Sequence, residues 1–521
     1  LLFAVSISFA QYSLEEKLQQ LKRRTDIKVT EVEKDILKLE YPGGKVLYKN
    51  IGEYQYPVSS IPHSGRQLPD YSPTFDSTII DLTTIDTLPY YRKYSFWQEV
   101  LIANYGFDGL VVGDINNNGM AEIYGFVKDY TSDYSDVVVK ELNENGTFDS
   151  LQIYDDTNLA VGIYDVNKDG NLELELNRVF YDSTVGTWPI STHLFFEKET
   201  DTSLATDLSF IFQITRQDVA IYRPRVVDLD GDEYSDYVFT NHSQGDLQVY
   251  EYNPATNNFD SVYYYNLQAI ALYFLGFAIG DYDLDSKPEF FIGSSSGKVV
   301  GFESTGNNTY QVTWISEIAT NNLYLFAETN DIDGNGKKEF WIGGDSFYNG
   351  VPITRLTCFE SIGNNSYEAV ARIDIIGFFS FFAFNMLAMD VTKDGVDELI
   401  LCLGQTVIIL KFTGSPGNHS YEVYYIKQNE RVLIGENSVY YNAAMYDINS
   451  DGKEEILITA DHVIQNTGIR FFTQILKPDK PDNVDDEEIN ISTYELFQNY
   501  PNPFNSSTQI RFRLQTGSNT S

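Results

Sequence analysis

One acidic pattern, D-x-[D/N/T]-x-[D/N]-x-x-x-[D/E], recurs seven times in this chain, beginning at Asp114, Asp165, Asp228, Asp281, Asp331, Asp390 and Asp447. Successive copies start 51, 63, 53, 50, 59 and 57 residues apart. Each copy runs straight into an apolar segment: EIYGF, ELELN, DYVFT, EFFIG, EFWIGG, ELILCLG and EILIT. These segments are β-branched and aromatic, which suits a half-buried strand. An EF-hand loop would end in a Glu at position 12 and open a helix. Here the last acid falls at position 9, so each loop is read as joining two strands.

A second periodic feature follows most loops by about thirty residues, an Asn/Gly-rich turn ahead of an aromatic: NENGTFDSL, NPATNNFDSV, STGNNTYQV, SIGNNSYEAV and GSPGNHSYEV. Asn and Gly tolerate the left-handed backbone of a tight hairpin. Each repeat therefore reads strand, acidic loop, strand, variable loop, strand, Asn-rich turn, strand. Such a unit cannot bury both of its faces alone, and radial stacking of four-stranded sheets solves that problem. The expectation is an all-β, seven-bladed β-propeller. The 38 Tyr and 34 Phe fit β-rich packing.

Positions 1, 3, 5 and 9 of the loops account for 22 of the 75 Asp and Glu residues. Packing several carboxylates into nine residues is repulsive unless a cation sits among them. No loop contains His or Cys, and oxygen-only ligands of mixed Asp and Asn favour Ca²⁺ over Mg²⁺.

GDINNNGMAEIYG and GDYDLDSKPEFFIG most clearly resemble the FG-GAP/VCBS repeats of the integrin α-subunit propeller and of many secreted bacterial proteins, a likeness spanning roughly residues 100–475. The resemblance implies structural Ca²⁺ in up to seven loops, held by side chains at positions 1, 3, 5 and 9 and by the carbonyl at position 7. The implied ligands are Asp114, Asn116, Asn118 and Glu122; Asp165, Asn167, Asp169 and Glu173, with the carbonyl of Asn171; and Asp228, Asp230, Asp232 and Asp236. They continue with Asp281, Asp283, Asp285 and Glu289; Asp331, Asp333, Asn335 and Glu339; Asp390, Thr392, Asp394 and Glu398; and Asp447, Asn449, Asp451 and Glu455. Position 6, usually Gly in the family, is Glu233 in the third loop and Ser286 in the fourth, and the first loop, with two carboxylates, is expected to bind most weakly.

The last repeat offers IRFFTQILK as a third strand, after which PDKPDNVDDEEIN cannot be a strand. Its fourth strand is expected from upstream, either STIIDL (77–82) or YSFWQEVLI (94–102). The expected organisation is a signal-peptide remnant (1–10), an N-terminal extension (11–74) with a small helix and a hairpin around YPGGKV, the propeller (75–477) and an acidic linker (478–490). Residues 491–521 carry Tyr500 to Asn505, YPNPFN, and resemble the start of a type A sorting domain of the type IX secretion system, a truncated β-sandwich. LLFAVSISFA ends Ser8-Phe9-Ala10 before Gln11, like a signal-peptide cleavage site.

A net charge of −39 argues against nucleic acid, which needs clustered Lys and Arg. No stretch is long and apolar enough for a transmembrane helix. His63, His193, His242, His419 and His462 are each expected in loops or turns, outside any catalytic triad, and GGDSF (343–347) as a turn after a strand. Cys358 and Cys402 read as buried free thiols. An insertion (177–193) carries Phe180, Tyr181 and Trp188, suited either to sugar or protein recognition or to covering the blade edge, whereas FFSFFAF (378–384) reads as core. The expected function is an exported, secreted or cell-surface calcium-binding propeller for adhesion or ligand binding, and no enzyme. Its partners would be an extracellular protein or glycan and the type IX machinery. The alternative is a carbohydrate-active enzyme, such as a polysaccharide lyase, on a similar ring.

Overall fold

Each acidic loop connects two antiparallel strands, and the apolar run after it is the second strand of a sheet. The computed structural model describes residues 28–33, 36–40, 46–50, 495–496, 512–513 and 75–478 except 91–92, 105–109, 129–134, 156, 180–190, 201, 215–220, 242–244, 272, 349–350, 378–384, 434–437 and 465–467. Seven sheets follow in chain order. Blade one comprises Val111–Gly113, Glu122–Lys128, Ser135–Leu142 and Phe148–Tyr154; blade two Leu159–Tyr164, Glu173–Val179, Ser191–Lys198 and Ala205–Ile214. Blade three comprises Ile221–Val227, Asp236–Asn241, Asp246–Asn253 and Asn258–Asn266; blade four Phe274–Gly280, Glu289–Ser294, Lys298–Gly306 and Thr309–Glu317. Blade five comprises Asn321–Glu328, Glu339–Tyr348, Val351–Gly363 and Ser366–Ile376; blade six Asn385–Met389, Glu398–Cys402, Thr406–Phe412 and Tyr421–Gln428. Blade seven has Tyr440–Tyr446, Glu455–Ile464 and Gly468–Pro478, and takes its fourth strand from Tyr94–Val100.

That fourth strand pairs antiparallel, Thr473 facing Val100 and Pro478 facing Tyr94. Of the two upstream candidates, 94–102 therefore supplies the closure. The other is used as well: Asp76–Asp81 lies parallel to Ser366–Ile376, Ile80 facing Ile375, as a fifth strand on blade five. Ile80 and Leu82 are buried in the core between blades five and six, which holds this segment there.

The second strands of blades three, four and six are buried at every position, whereas the outer strands Phe148–Tyr154 and Asn258–Asn266 are largely exposed. A strand buried on both faces must be covered by neighbouring sheets. The apolar residues accordingly form seven clusters, each shared by two successive blades. The seventh joins Ile448, Leu457 and Ile475 of the last blade to Leu110, Ile123 and Val138 at the first, so the ring is closed by core packing as well as by strand pairing. Between blades four and five, Phe291 stacks on Phe340 at 4.0 Å and Phe340 on Phe359 at 5.2 Å. Such offset stacks contribute about 0.5–1.5 kcal/mol beyond area burial.

Near the N-terminus, Lys28–Glu33, Ile36–Glu40 and Val46–Asn50 form a three-stranded antiparallel sheet, and YPGGKV joins the last two. In the separate unit Asp479–Ser521, Glu495–Leu496 pairs with Phe512–Arg513. The expected leader, the helix near residue 13, the linker, the hexapeptide Tyr500–Asn505, Phe180, Tyr181, Trp188 and FFSFFAF lie outside the described residues. Cys358 and Cys402 are buried and unpaired in their strands. Among the described residues, no helix is long and apolar enough to cross a membrane.

Candidate metal centres

All seven loops share one backbone. Position 4 has positive φ in every copy: Asn117, Lys168, Gly231, Leu284, Gly334, Lys393 and Ser450. So does position 6, including Glu233 (φ 77°) and Ser286 (φ 75°), which adopt the conformation that Gly holds in the other five. The position 1 carboxylate accepts the N–H of position 6 in all seven, at 2.7–3.1 Å. The position 9 carboxylate accepts the N–H of position 2, at 2.7–3.0 Å. Position 2 is apolar or aromatic throughout, and Ile115, Val166, Leu229, Tyr282, Ile332 and Ile448 are buried plugs fixing the loop to the core.

These bonds leave other carboxylate oxygens over, and in five loops at least one buried oxygen at position 1, 3 or 9 is without a donor. The orphans are Glu122 Oε1; Asp165 Oδ1 and Glu173 Oε1; Asp230 Oδ1 and Asp236 Oδ1; Asp281 Oδ1 and Glu289 Oε1; and Asp331 Oδ1. Buried polar atoms are ordinarily paired, and unmet ones call for an ion or water. Without a cation, burial pushes the carboxyls of Glu122, Glu173 and Glu455 up to about 7, and those of Asp236, Glu289 and Glu339 up to about 8.

The acids converge most in blades three to five. Asp281, Asp283, Asp285 and Glu289 offer ligand atoms within 4.8 Å of one another, as do Asp228, Asp230 and Asp236, and Asp331, Asp333 and Glu339. Elsewhere among the described residues no three acidic loop side chains come so close, and Asn116, Asn118, Asn167, Thr392 and Asn449 fill ligand positions there.

Two contributors escaped the sequence reading. The first is the third strand, which sets a residue directly across from position 9. Glu122 faces Glu141, Asp236 faces Glu251, Glu289 faces Glu303 and Glu339 faces Glu360. In blade two the register brings Glu197 to Glu173. In blade six the facing residue is Lys411, and in blade seven the register brings Lys477 to Glu455. Lys411 Nζ lies 2.6 Å from Asp394 Oδ2, 2.8 Å from Thr392 Oγ1 and 3.4 Å from Glu398 Oε1.

The second is the Asn-rich turn, which reaches back to the preceding blade. Asn308 of blade four donates its backbone N–H to Asp230 and its side-chain amide to Glu251 of blade three. Asn365 of blade five does the same to Asp283 and Glu303 of blade four. In blade six the N–H of Gly417 goes to Asp333, and His419 Nε2 lies 3.6 Å from Asp333 and 3.5 Å from Glu360. His419, in a loop as expected, thus joins a candidate ligand group although none of the seven acidic loops contains a His. The spaced motif GNNxY was the available signal, since its Tyr310 also donates to Asp236.

Two other His expectations are corrected. His193 and His462 lie in strands, paired with Asn177 and Arg470 of the neighbouring strands, and His63 and His242 lie outside the described residues. His193 Nε2 is 2.9 Å from Ser191 Oγ and its Nδ1 is 2.5 Å from Glu175 Oε1, a serine, imidazole and carboxylate in sequence. Tyr237 of the next blade donates to the same Glu175 oxygen at 2.7 Å, so the set also ties blade two to blade three. GGDSF lies inside the strand Glu339–Tyr348 rather than in a turn, where Ser346 donates to the Ala319 carbonyl at 2.6 Å.

No protein-family model and no curated protein matches the chain. Among solved structures, a putative 6-phosphogluconolactonase from Bacteroides uniformis is similar at 11% identity, over 61% of this chain and 87% of that one, with a TM-score of 0.38. Sqt1 from Saccharomyces cerevisiae is similar at 8% identity, over 75% of this chain and 100% of that one, with a TM-score of 0.44. The seven-bladed ring itself rests on the sheet topology and the seven shared cores.

Proposed function

We propose that this chain is an exported β-propeller whose strand 1–2 loops hold Ca²⁺ as a structural ion, and which presents a ligand-binding surface outside the cell. The observation that carries the calcium reading is the set of buried carboxylate oxygens without a donor, gathered at the loops. A hard, oxygen-seeking cation supplies what those atoms lack. Export and adhesion rest on the signal-like start, the YPNPFN segment and the FG-GAP/VCBS resemblance.

At dissociation constants of about 0.1–1 mM and millimolar Ca²⁺, each filled loop stabilises the fold by roughly 0.4–1.4 kcal/mol. Several loops together approach the net stability of an ordinary domain. The test is thermal melting with Ca²⁺ and with EDTA. A fall of ten degrees or more in EDTA, restored by Ca²⁺, is expected; identical melts would sink the reading. A glycan and protein array, run beside a depolymerisation assay on polyuronides, tests the ligand-binding part against the lyase alternative.

One observation favours an enzyme, the order Ser191, His193, Glu175, since such triads are recognised by geometry. Against it, Ser191 is only 8% exposed and Tyr237 shares the carboxylate, as expected of a staple between blades. A serine-directed fluorophosphonate is expected to leave Ser191 unlabelled. An adduct on Ser191 that His193→Gln abolishes would instead make this an acyl-transfer site.

A further inference from the structure

We infer that the ring takes five divalent cations rather than the seven its repeat suggests, because Lys411 and Lys477 serve as built-in cations for blades six and seven. This rests on the calcium reading above and assigns its stoichiometry.

Two features divide the blades in the same way, and a third sets blade six apart. The first is the cross-strand pair. In blades one to five an acid faces an acid, Glu141, Glu197, Glu251, Glu303 and Glu360 being the third-strand members. Like charges directly opposite each other on a sheet are destabilising. Lys287 and Lys337, at position 7 of loops four and five, answer Glu303 at 2.6 Å and Glu360 at 3.4 Å from outside, yet Glu289 Oε1 and Asp331 Oδ1 keep no donor. In blades six and seven the third-strand residue is a lysine.

The second feature is hydrogen bonding. Every one of the first five loops has at least one buried carboxylate oxygen without a donor, and Glu122, Glu173, Asp236 and Glu289, which supply four of them, are no more than 1% exposed. Among the described residues, the sixth and seventh loops have none. In loop six, Glu398 Oε1 accepts from Thr392 Oγ1 at 3.0 Å and faces the Lys411 ammonium. In loop seven, Glu455 Oε1 accepts from Asn449 Nδ2 at 2.7 Å.

The third feature is where the ammonium sits. Lys411 Nζ touches the side chains of positions 3 and 5 and approaches that of position 9, three of the four ligand positions a metal would use. Lys477 is placed differently, with its Nζ 3.2 Å from the centre of the Trp97 ring, on the strand that closes the ring. From there its charge acts on Glu455 through space, in the direction that favours the carboxylate, without a direct ion pair. An internal ammonium cannot be chelated away. The two blades at the end of the chain, including the one completed by Tyr94–Val100, are thereby made independent of ion supply, and blades one to five carry the dependence.

Native mass spectrometry of the full chain, stripped with EDTA and titrated with CaCl₂, tests this by counting ions. Five are expected for the parent, six for Lys411→Glu and four for Glu251→Lys. Six or seven ions on the parent would overturn the assignment of the lysines while leaving calcium binding intact. No ions at all would overturn the calcium reading, and this inference with it. Hydrogen exchange on the parent needs no variant: EDTA should raise exchange in the loops starting at Asp114, Asp165, Asp228, Asp281 and Asp331 and leave 390–398 and 447–455 unchanged. Equal deprotection of all seven would count against the division.

Discussion

Loops four and six have the same backbone, with positive φ at positions 4 and 6, and the same two ties from carboxylate to backbone N–H. They differ in what meets them. Loop four gathers Asp281, Asp283, Asp285 and Glu289, faces Glu303, which the loop's exposed Lys287 meets at 2.6 Å, and is capped by Asn365 of the next blade. Loop six faces Lys411, whose ammonium lies among its ligand atoms. The acidic loop is therefore a connection first and a candidate cation site second. Its shape is set by Asx-type bonds and the buried plug at position 2, and its charge balance is settled by a different strand.

The largest effect that would test this comparison is one of pH. With Ca²⁺ chelated, Glu289, Asp236 and Glu339 sit at about 8 and Glu122 and Glu173 at about 7, in each case chiefly because burial penalises the charged form. A carboxyl whose folded pKa lies above its unfolded value favours folding fully below the unfolded value, and that contribution is lost as pH rises through the folded one. In EDTA, then, Tm should fall steadily from pH 5 to pH 8.5. In saturating Ca²⁺ the direction reverses, because protons compete with the ion. A chelated protein equally stable at both ends would mean these carboxyls are not the charge traps that set loop four apart from loop six.

Next in size is Lys411→Met. Removing an ammonium that neutralises the buried Glu398 breaks a part-buried pair, and with Lys411 about a quarter exposed the cost is about 2 kcal/mol. The loss should be full in EDTA and smaller in Ca²⁺, where an ion can take the vacated charge position. An equal loss in both, read from denaturant melts, would show that Lys411 contributes packing rather than charge.

What could be read beforehand follows from the same contrast. The seven loops, the strand after each and the ring were legible because they are local: nine residues fix the loop, and period-2 runs fix the strands. The facing residue was not, since the distance along the chain from position 9 varies from 13 residues (Glu398 to Lys411) to 24 (Glu173 to Glu197) with the length of the strand 2–3 connection. Only the register of the pairing shows that Glu303 and Lys411 are equivalent. The Asn turns were legible as hairpins but not as caps, because Asn308 reaches Asp230 across 78 residues and a blade boundary. The closing strand stayed open between two segments because both are apolar and alternating, and both do pair, one on blade seven and one on blade five.

The cap offers a smaller test. Asn365→Gly keeps the left-handed backbone (φ 53°) and the N–H bonded to Asp283, and removes only the amide that reaches Glu303. About 1 kcal/mol should be lost. Asn308→Gly should cost the same at blade three. If neither moves Tm, the turns only pack beside the loops, and loop four differs from loop six in charge alone.

The smallest effect runs the other way. Ser286 holds φ 75° at position 6 of loop four, where loop six has Gly395 at φ 89°. A side chain in this region costs roughly 1–2 kcal/mol, and Gly returns part of that gain through its freer unfolded chain. Ser286→Gly should therefore stabilise by about 0.5–1 kcal/mol, with its N–H still donating to Asp281. The converse change, Gly395→Ala, meets open space around the added Cβ, so any loss there is purely conformational. Equal and opposite shifts at the two loops would establish that their backbones are interchangeable, which leaves side chains, of the loop itself, the third strand and the cap, as the source of the differences between them.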